Sequence, residues 1–174
     1  IGPELSHAIY RDGTIGQAKK HLEATAHTLN EKLAKELNGA AYVSVNKGLV
    51  TRSSAVIPII SLYLSILFKV MKKKGTHEGC IEQMERLFAE RLYTGENASA
   101  GNVPVDQENR IRVDDWEMQD DVQAEVDKFM AQVNNENIAE ICDLEGYKHD
   151  FYATNGFDVA GVDYSADVPR MDQI

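Results

Sequence analysis

The stretch Ala40-Ala-Tyr-Val-Ser-Val-Asn-Lys-Gly-Leu-Val-Thr51 decides the fold class. Its first half is short, apolar and β-branched, the pattern of a buried strand. Asn46 to Ser54 is polar, and an apolar run from Ala55 to Phe68 follows it. A strand thus ends in a loop that feeds a helix, and in open α/β sheets ligands bind at the carboxyl ends of strands. Gly48 lets backbone approach a flat ligand closely, and exposed N–H groups with the Thr51 hydroxyl can bond a cofactor amide or phosphate. Taken alone, the segment also reads as an ordinary strand-to-helix connection.

Upstream, Thr14 and Gln17 form a capping-box pattern. Ile15, Ala18, Leu22, Ala26, Leu29, Leu33 and Leu37 then recur at helical spacing, and Asn38-Gly39 offers a left-handed stop. Downstream, the apolar helix contains Pro58, Ser61 and Ser65. It is shorter than the roughly 20 residues that span a bilayer, and it runs out at Lys72-Lys73-Lys74-Gly75, a solvated helix end. A helix is expected from Thr76 to Tyr93 with Cys80, Ile81, Met84, Leu87 and Phe88 on its inner face. Thr94 to Asn109 reads as an exposed loop. From Asp114 an acidic segment turns Trp116, Val122, Val126 and Phe129 inward and carboxylates outward. Short helices at 136–143 and 146–155 and an irregular tail complete the chain. One strand among many helices is too few for a sheet, so further strands are expected before Ile1. A start at Ile1-Gly2-Pro3 without Met agrees with a chain cut from something longer.

Composition narrows the function classes. The 174 residues are 43% hydrophobic and 26% charged, an ordinary globular balance, with a formal net charge of −10. Such a surface repels phosphate backbones and anionic lipid, which argues against nucleic acid and membrane surfaces as partners. Cys80 and Cys142 lie far apart, as in a reducing, cytoplasmic compartment. His77 and Cys80 share one turn, but no second ligand pair completes a metal site.

The segment Tyr10-Arg-Asp-Gly-Thr-Ile-Gly-Gln-Ala-Lys19 carries chemistry. An ammonium beside a phenol stabilises the phenolate and makes the phenol a usable proton donor. In one continuous helix, nine residues turn the chain by about 900° and rise about 13.5 Å, which parts the two side chains. Tyr10 must therefore precede the helix, with Gly13 turning the chain. On spacing alone, a loop tyrosine beside an exposed lysine is equally described.

These segments occur together with Gly2-Pro3, His77-Glu-Gly-Cys-Ile-Glu-Gln, Arg86-Leu-Phe-Ala-Glu-Arg-Leu-Tyr, Arg110-Ile-Arg-Val-Asp-Asp-Trp-Glu and Gly161-Val-Asp-Tyr. In that order, out to about Val168, they resemble the FabV, or trans-2-enoyl-CoA reductase, family, whose hallmark is a tyrosine and a lysine separated by eight residues. The resemblance implies an α/β fold, a Rossmann-type parallel sheet of the short-chain dehydrogenase/reductase kind with many helices. This chain would supply the helix-rich C-terminal half of a single catalytic domain. Within it, 1–54 would hold the catalytic segment, strand and cofactor loop. Residues 55–93 would hold the acyl-site helix and the helix after it, and 94–174 the loop and C-terminal helices.

It further implies NADH-dependent reduction of the C2=C3 double bond of a trans-2-enoyl thioester, on acyl carrier protein or coenzyme A, in fatty acid synthesis. Tyr10 would be the proton donor, and Lys19 would hold the cofactor ribose and tune Tyr10. Gly48, Leu49 and Val50 would line the nicotinamide end, with Thr51 bonding nearby, and no metal takes part. The intact enzyme would be a monomer without membrane insertion. No G-x-G-x-x-G follows a strand here, so the fragment alone would be inactive. A local basic patch, either Lys72, Lys73 and Lys74 or residues in the missing half, would receive the anionic carrier. Two alternatives stand beside this reading: a carbonyl-reducing short-chain dehydrogenase, and a non-catalytic acidic helical interaction module.

Overall fold

A computed structural model describes residues 4–92 and 102–167. Gly2-Pro3, Tyr93 and the 94–101 part of the expected loop lie outside the described residues, as does Val168. A 3-10 turn (Glu4–Ser6) runs into a π-helical turn (His7–Arg11), and the chain then turns at Asp12-Gly13 into α1 (Thr14–Leu37). β1 (Val43–Asn46), a 3-10 turn (Ser54–Val56), α2 (Ile60–Lys74) and α3 (Cys80–Arg86) follow, the last continued by a π-helical turn (Leu87–Leu92). The remaining elements are β2 (Arg110–Val113), α4 (Asp120–Gln132), α5 (Ile138–Ile141) and α6 (Leu144–Thr154).

β1 and β2 pair in parallel, with Val43 opposite Arg110 and Asn46 opposite Val113. The expectation of a single strand is therefore corrected. Arg-Ile-Arg-Val alternates charged and apolar, the period of a half-buried strand. Its arginines face carboxylates: Arg110 pairs with Asp106 and Glu23, and Arg112 with Asp114. Ile111 and Val113 are buried, packed with Leu87.

α2 is the centre of the main core. Tyr63, Leu64, Ile66, Leu67, Phe68, Val70 and Met71 are buried there with Val122 and Val126 of α4 and with Cys142. A helix buried nearly all round must be apolar nearly all round, which is what the run from Ile60 supplies. Its entry is strained, because Ile59, after Pro58, adopts the left-handed region at φ 64°. That region is a genuine outlier for a β-branched residue.

Three helix expectations are corrected. Gly13, not Thr14, is the N-cap of α1, whereas the left-handed stop is where it was expected, carried by Asn38 at φ 50°. The apolar stripe of α1 is not covered by the described residues, since Leu22 is 54% and Leu37 73% exposed. In the helix after α2, residues 76–79 are not helical, and Ile81 and Phe88 point outward while Gln83 and Arg86 are buried. Those two polar side chains reach carbonyls and carboxylates at the strand ends, partners that helical periodicity does not register.

The lysines at the end of α2 are each tied to an acidic side chain. Lys72 pairs with Asp143 at 2.6 Å, Lys73 with Glu125 at 2.9 Å and Lys74 with Asp121 at 2.6 Å. They stitch α2 to the acidic α4 and to the start of α6, and so do not form the free basic patch anticipated for a carrier. Among the described residues no helix is long and apolar enough to cross a membrane.

Candidate active site

Tyr10 lies in the π-helical turn, before α1, and Gly13 is extended at ψ −169°. That turn folds the short helix back on the start of α1 and brings Lys19 Nζ to 5.7 Å from the centroid of the Tyr10 ring. An ammonium over an aromatic face at this range is attracted by the ring quadrupole. Gly16 makes the fold-back possible. It is buried against the Arg11 carbonyl, and a Cβ there would stand 1.7 Å from that oxygen. Both clashing groups are backbone-borne, so one helix has to move. Gly16→Ala should therefore separate Tyr10 from Lys19 and lower any activity that needs the pair by at least tenfold. A steady-state assay of that variant in the full-length protein checks it, with circular dichroism showing retained helix content.

The loop after β1 sits at the carboxyl edge of the parallel pair. Its sequence suggested exposed N–H donors, but two of them are turned inward. The Gly48 N–H bonds the Glu117 carboxylate at 2.5 Å, and the Thr51 N–H bonds Ser54 Oγ at 2.8 Å. The Thr51 hydroxyl donates to Ser54 Oγ at 3.2 Å and accepts the Ser54 N–H at 3.0 Å. A hydroxyl has two lone pairs, so one acceptor position remains for an amide NH₂. The loop owes its shape to this local cap, which Ser54 Oγ completes by donating to the Leu49 carbonyl at 2.9 Å.

Beneath the loop lies polar machinery that motif reading did not identify. Lys47 is buried, with its ammonium on the Gly48 carbonyl at 2.9 Å and 4.7 Å from the centre of the Phe68 ring. Burial pulls Lys47 down to about 8, against the opposing pull of Glu117. Burial pushes the Glu117 carboxyl up, opposed by the Tyr63 hydroxyl and Gly48 N–H that it accepts. Burial, and then Glu117, push the Tyr63 phenol upward. Asp114 and Glu117 are thus inside the protein, against the expectation that the acidic segment keeps its carboxylates outside.

A second buried cluster anchors the strand ends. Arg86 forms two bonds to Glu78, at 2.8 and 2.9 Å, reaches Asp115 at 2.8 Å, and donates to the Val113 carbonyl at 2.6 Å. Its guanidinium also stacks 4.2 Å from the Trp116 ring centre. Gln83 donates to Glu78 and to the Val113 carbonyl and accepts the Lys47 N–H at 3.0 Å. The blocks beginning His77-Glu, Arg86 and Arg110-Ile thus converge in space on one edge of the sheet. Among the described residues no hydrogen bond links this cluster to Tyr10 or Lys19, and no group of His, Cys, Asp and Glu could hold a metal ion.

Two family models match the chain. One, described as the trans-2-enoyl-CoA reductase catalytic region, covers residues 1–93, and the other, described as an enoyl reductase FAD binding domain, covers 105–168. The trans-2-enoyl-CoA reductase [NADH] of Treponema denticola is 60% identical over 174 residues, all of this chain and 42% of that protein. The enoyl-[acyl-carrier-protein] reductase [NADH] of Cytophaga hutchinsonii is 58% identical over 97% of this chain and 41% of its own. A crystal structure of the Clostridium acetobutulicum trans-2-enoyl-CoA reductase in complex with NADH superposes with a TM-score of 0.89 at 48% identity, covering 97% of this chain and 41% of that one. The chain therefore spans about 42% of the length of the relatives it matches.

Residues 105–168 do not fit a flavin dinucleotide. They hold seventeen aspartates and glutamates against four lysines and arginines. Arg110 and Arg112 are already paired with carboxylates, and the first turn of α4 carries Asp120 and Asp121. A pyrophosphate needs the opposite field at a helix start, so no chemistry is assigned to a flavin. The catalytic-region model spans residues 1–93, more than half of the 174, and with relatives this similar the chain belongs to the trans-2-enoyl-CoA reductase family.

Proposed function

We propose that this chain is the C-terminal half of a catalytic domain that reduces the C2=C3 double bond of trans-2-enoyl thioesters with NADH, in fatty acid synthesis. The observation that carries the reading is Lys19 Nζ lying 5.7 Å from the Tyr10 ring centre, at the spacing that marks the family. The parallel β1–β2 pair belongs to a Rossmann-type sheet of the short-chain dehydrogenase/reductase kind. Segments 1–54, 55–93 and 94–174 serve as catalytic and cofactor region, acyl wall, and supporting helices. The intact enzyme is a cytoplasmic monomer, and its substrate is carried on coenzyme A or acyl carrier protein.

The reduced nicotinamide, at Gly48, Leu49, Val50 and Thr51, supplies a hydride to C3. Negative charge then develops on the thioester oxygen, where Tyr10 donates a hydrogen bond. The proton passes to C2, and the saturated thioester leaves. Lys19 places a positive charge beside the Tyr10 ring, 5.7 Å from its centre, and holds the cofactor ribose. Exposed apolar side chains at Val56 and Ile59, between the loop and α2, give an acyl chain a surface to lie on.

The test uses the full-length gene product with NADH and crotonyl-CoA, followed by absorbance and by mass spectrometry of the product. We expect NADH consumption matched one-to-one by butyryl-CoA. An alcohol product would point instead to a carbonyl reductase, and no consumption to an acidic interaction module. The 174-residue chain by itself should consume no NADH, because no G-x-G-x-x-G follows a strand in it.

A further inference from the structure

One buried carboxylate ties together two elements whose separation the chemistry depends on. Glu117 is 4% exposed and lies in the turn between β2 and α4. Its Oε2 accepts the Gly48 N–H at 2.5 Å, and its Oε1 accepts the Tyr63 hydroxyl at 2.5 Å. Gly48 opens the loop after β1, while Tyr63 stands in the first turn of α2. Gln123 of α4 braces the junction, donating to the Glu117 carbonyl at 2.7 Å and to the Tyr63 oxygen at 3.3 Å.

The backbone on both sides of the Gly48 Cα is held, its N–H by Glu117 and its carbonyl by the Lys47 ammonium. A Cβ here would lie 2.6 Å from Leu64 Cδ2 and 3.4 Å from Glu117 Oε1, so the end of the Leu64 side chain would have to shift. A carboxylate whose two oxygens each hold a buried donor cannot turn away without leaving both unpaired. Glu117 therefore links the loop to the helix directly.

We propose that Glu117 is a positioning residue that sets the distance between the loop receiving the nicotinamide and the helix walling the acyl chain. The proposal rests on the function given above. Hydride transfer needs the reacting atoms about 3–3.5 Å apart, and a misplacement of about 1 Å can cost about 10²-fold. Glu117 touches neither reactant and acts through Gly48 and Tyr63.

The variants are Glu117→Gln, Glu117→Asp and Tyr63→Phe in the full-length protein, assayed with NADH and crotonyl-CoA, with NADH affinity read by fluorescence titration. Glu117→Gln keeps the side-chain volume but turns an amide NH₂ toward one of the two donors. It should weaken NADH binding several-fold and lower kcat at least tenfold, and Glu117→Asp should recover part of the NADH affinity. Tyr63→Phe leaves the Gly48 tie intact, so NADH affinity should hold while kcat drops several-fold. This split between binding and turnover is not what a general loss of stability produces. Unchanged kcat in Tyr63→Phe overturns the proposal, as does unchanged NADH affinity in Glu117→Gln. A wild-type protein that neither binds NADH nor reduces crotonyl-CoA overturns the functional reading itself and the proposal with it.

Discussion

Tyr10→Phe in the full-length protein should lower reduction of an enoyl thioester by about 10²–10⁴-fold, the usual worth of a positioned general acid, while NADH still binds. The substitution removes one oxygen and keeps the ring against which Lys19 is placed, 5.7 Å from its centre. The turn at Gly13 and the contact of Gly16 with Arg11 are untouched, so the fold-back survives. What is lost is the donor for the oxygen on which charge develops. Stopped-flow measurement of the hydride step, with NADH affinity determined separately, checks this. Unchanged turnover would remove Tyr10 from the chemistry and favour a non-catalytic role for the whole segment.

The largest effect on stability is expected from Arg86→Ala. Arg86 is 3% and Glu78 6% exposed, and the guanidinium fills both Glu78 oxygens, the Asp115 carboxylate and the Val113 carbonyl. Deleting it leaves Glu78 buried with, among the described residues, only the Gln83 amide as donor. Breaking such a pair from one side costs about 3–5 kcal/mol, a large share of a typical domain stability of about 5–15 kcal/mol. Denaturant titration of the full-length protein should show a loss of that size. In the double variant Arg86→Met with Glu78→Gln much of it should return, since no charge is then left unpaired. A loss below about 1 kcal/mol in the single variant would mean that water reaches Glu78.

Much of the candidate site was legible in the chain. β1 and the loop after it follow from Tyr42-Val43-Ser44-Val45 and Gly48. The requirement that Tyr10 precede the helix follows from the 3.6-residue period alone. The second strand was legible too, because Arg110-Ile-Arg-Val113 alternates, but four residues between two acidic stretches make a weak signal. Other features were not legible. Periodicity sorts residues by polarity and so sent Glu117, Gln83 and Arg86 to the surface, whereas each is buried because a partner distant in sequence satisfies it. It likewise marked the leucines of α1 as one apolar stripe, and the described residues leave much of that stripe uncovered.

By itself the sequence determined what local rules control. It set the helix and strand periods, the turn at Gly13, the apolar α2, and the residue types that a proton donor and a cofactor loop require. Tertiary structure alone decided which distant groups meet. It paired Lys72, Lys73 and Lys74 with acidic side chains instead of leaving them free, and it placed Glu117 between Gly48 and Tyr63. The physical reason is that a buried charge is tolerable only beside its partners. Those partners lie 69 and 54 residues away along the chain, a separation that no local pattern encodes.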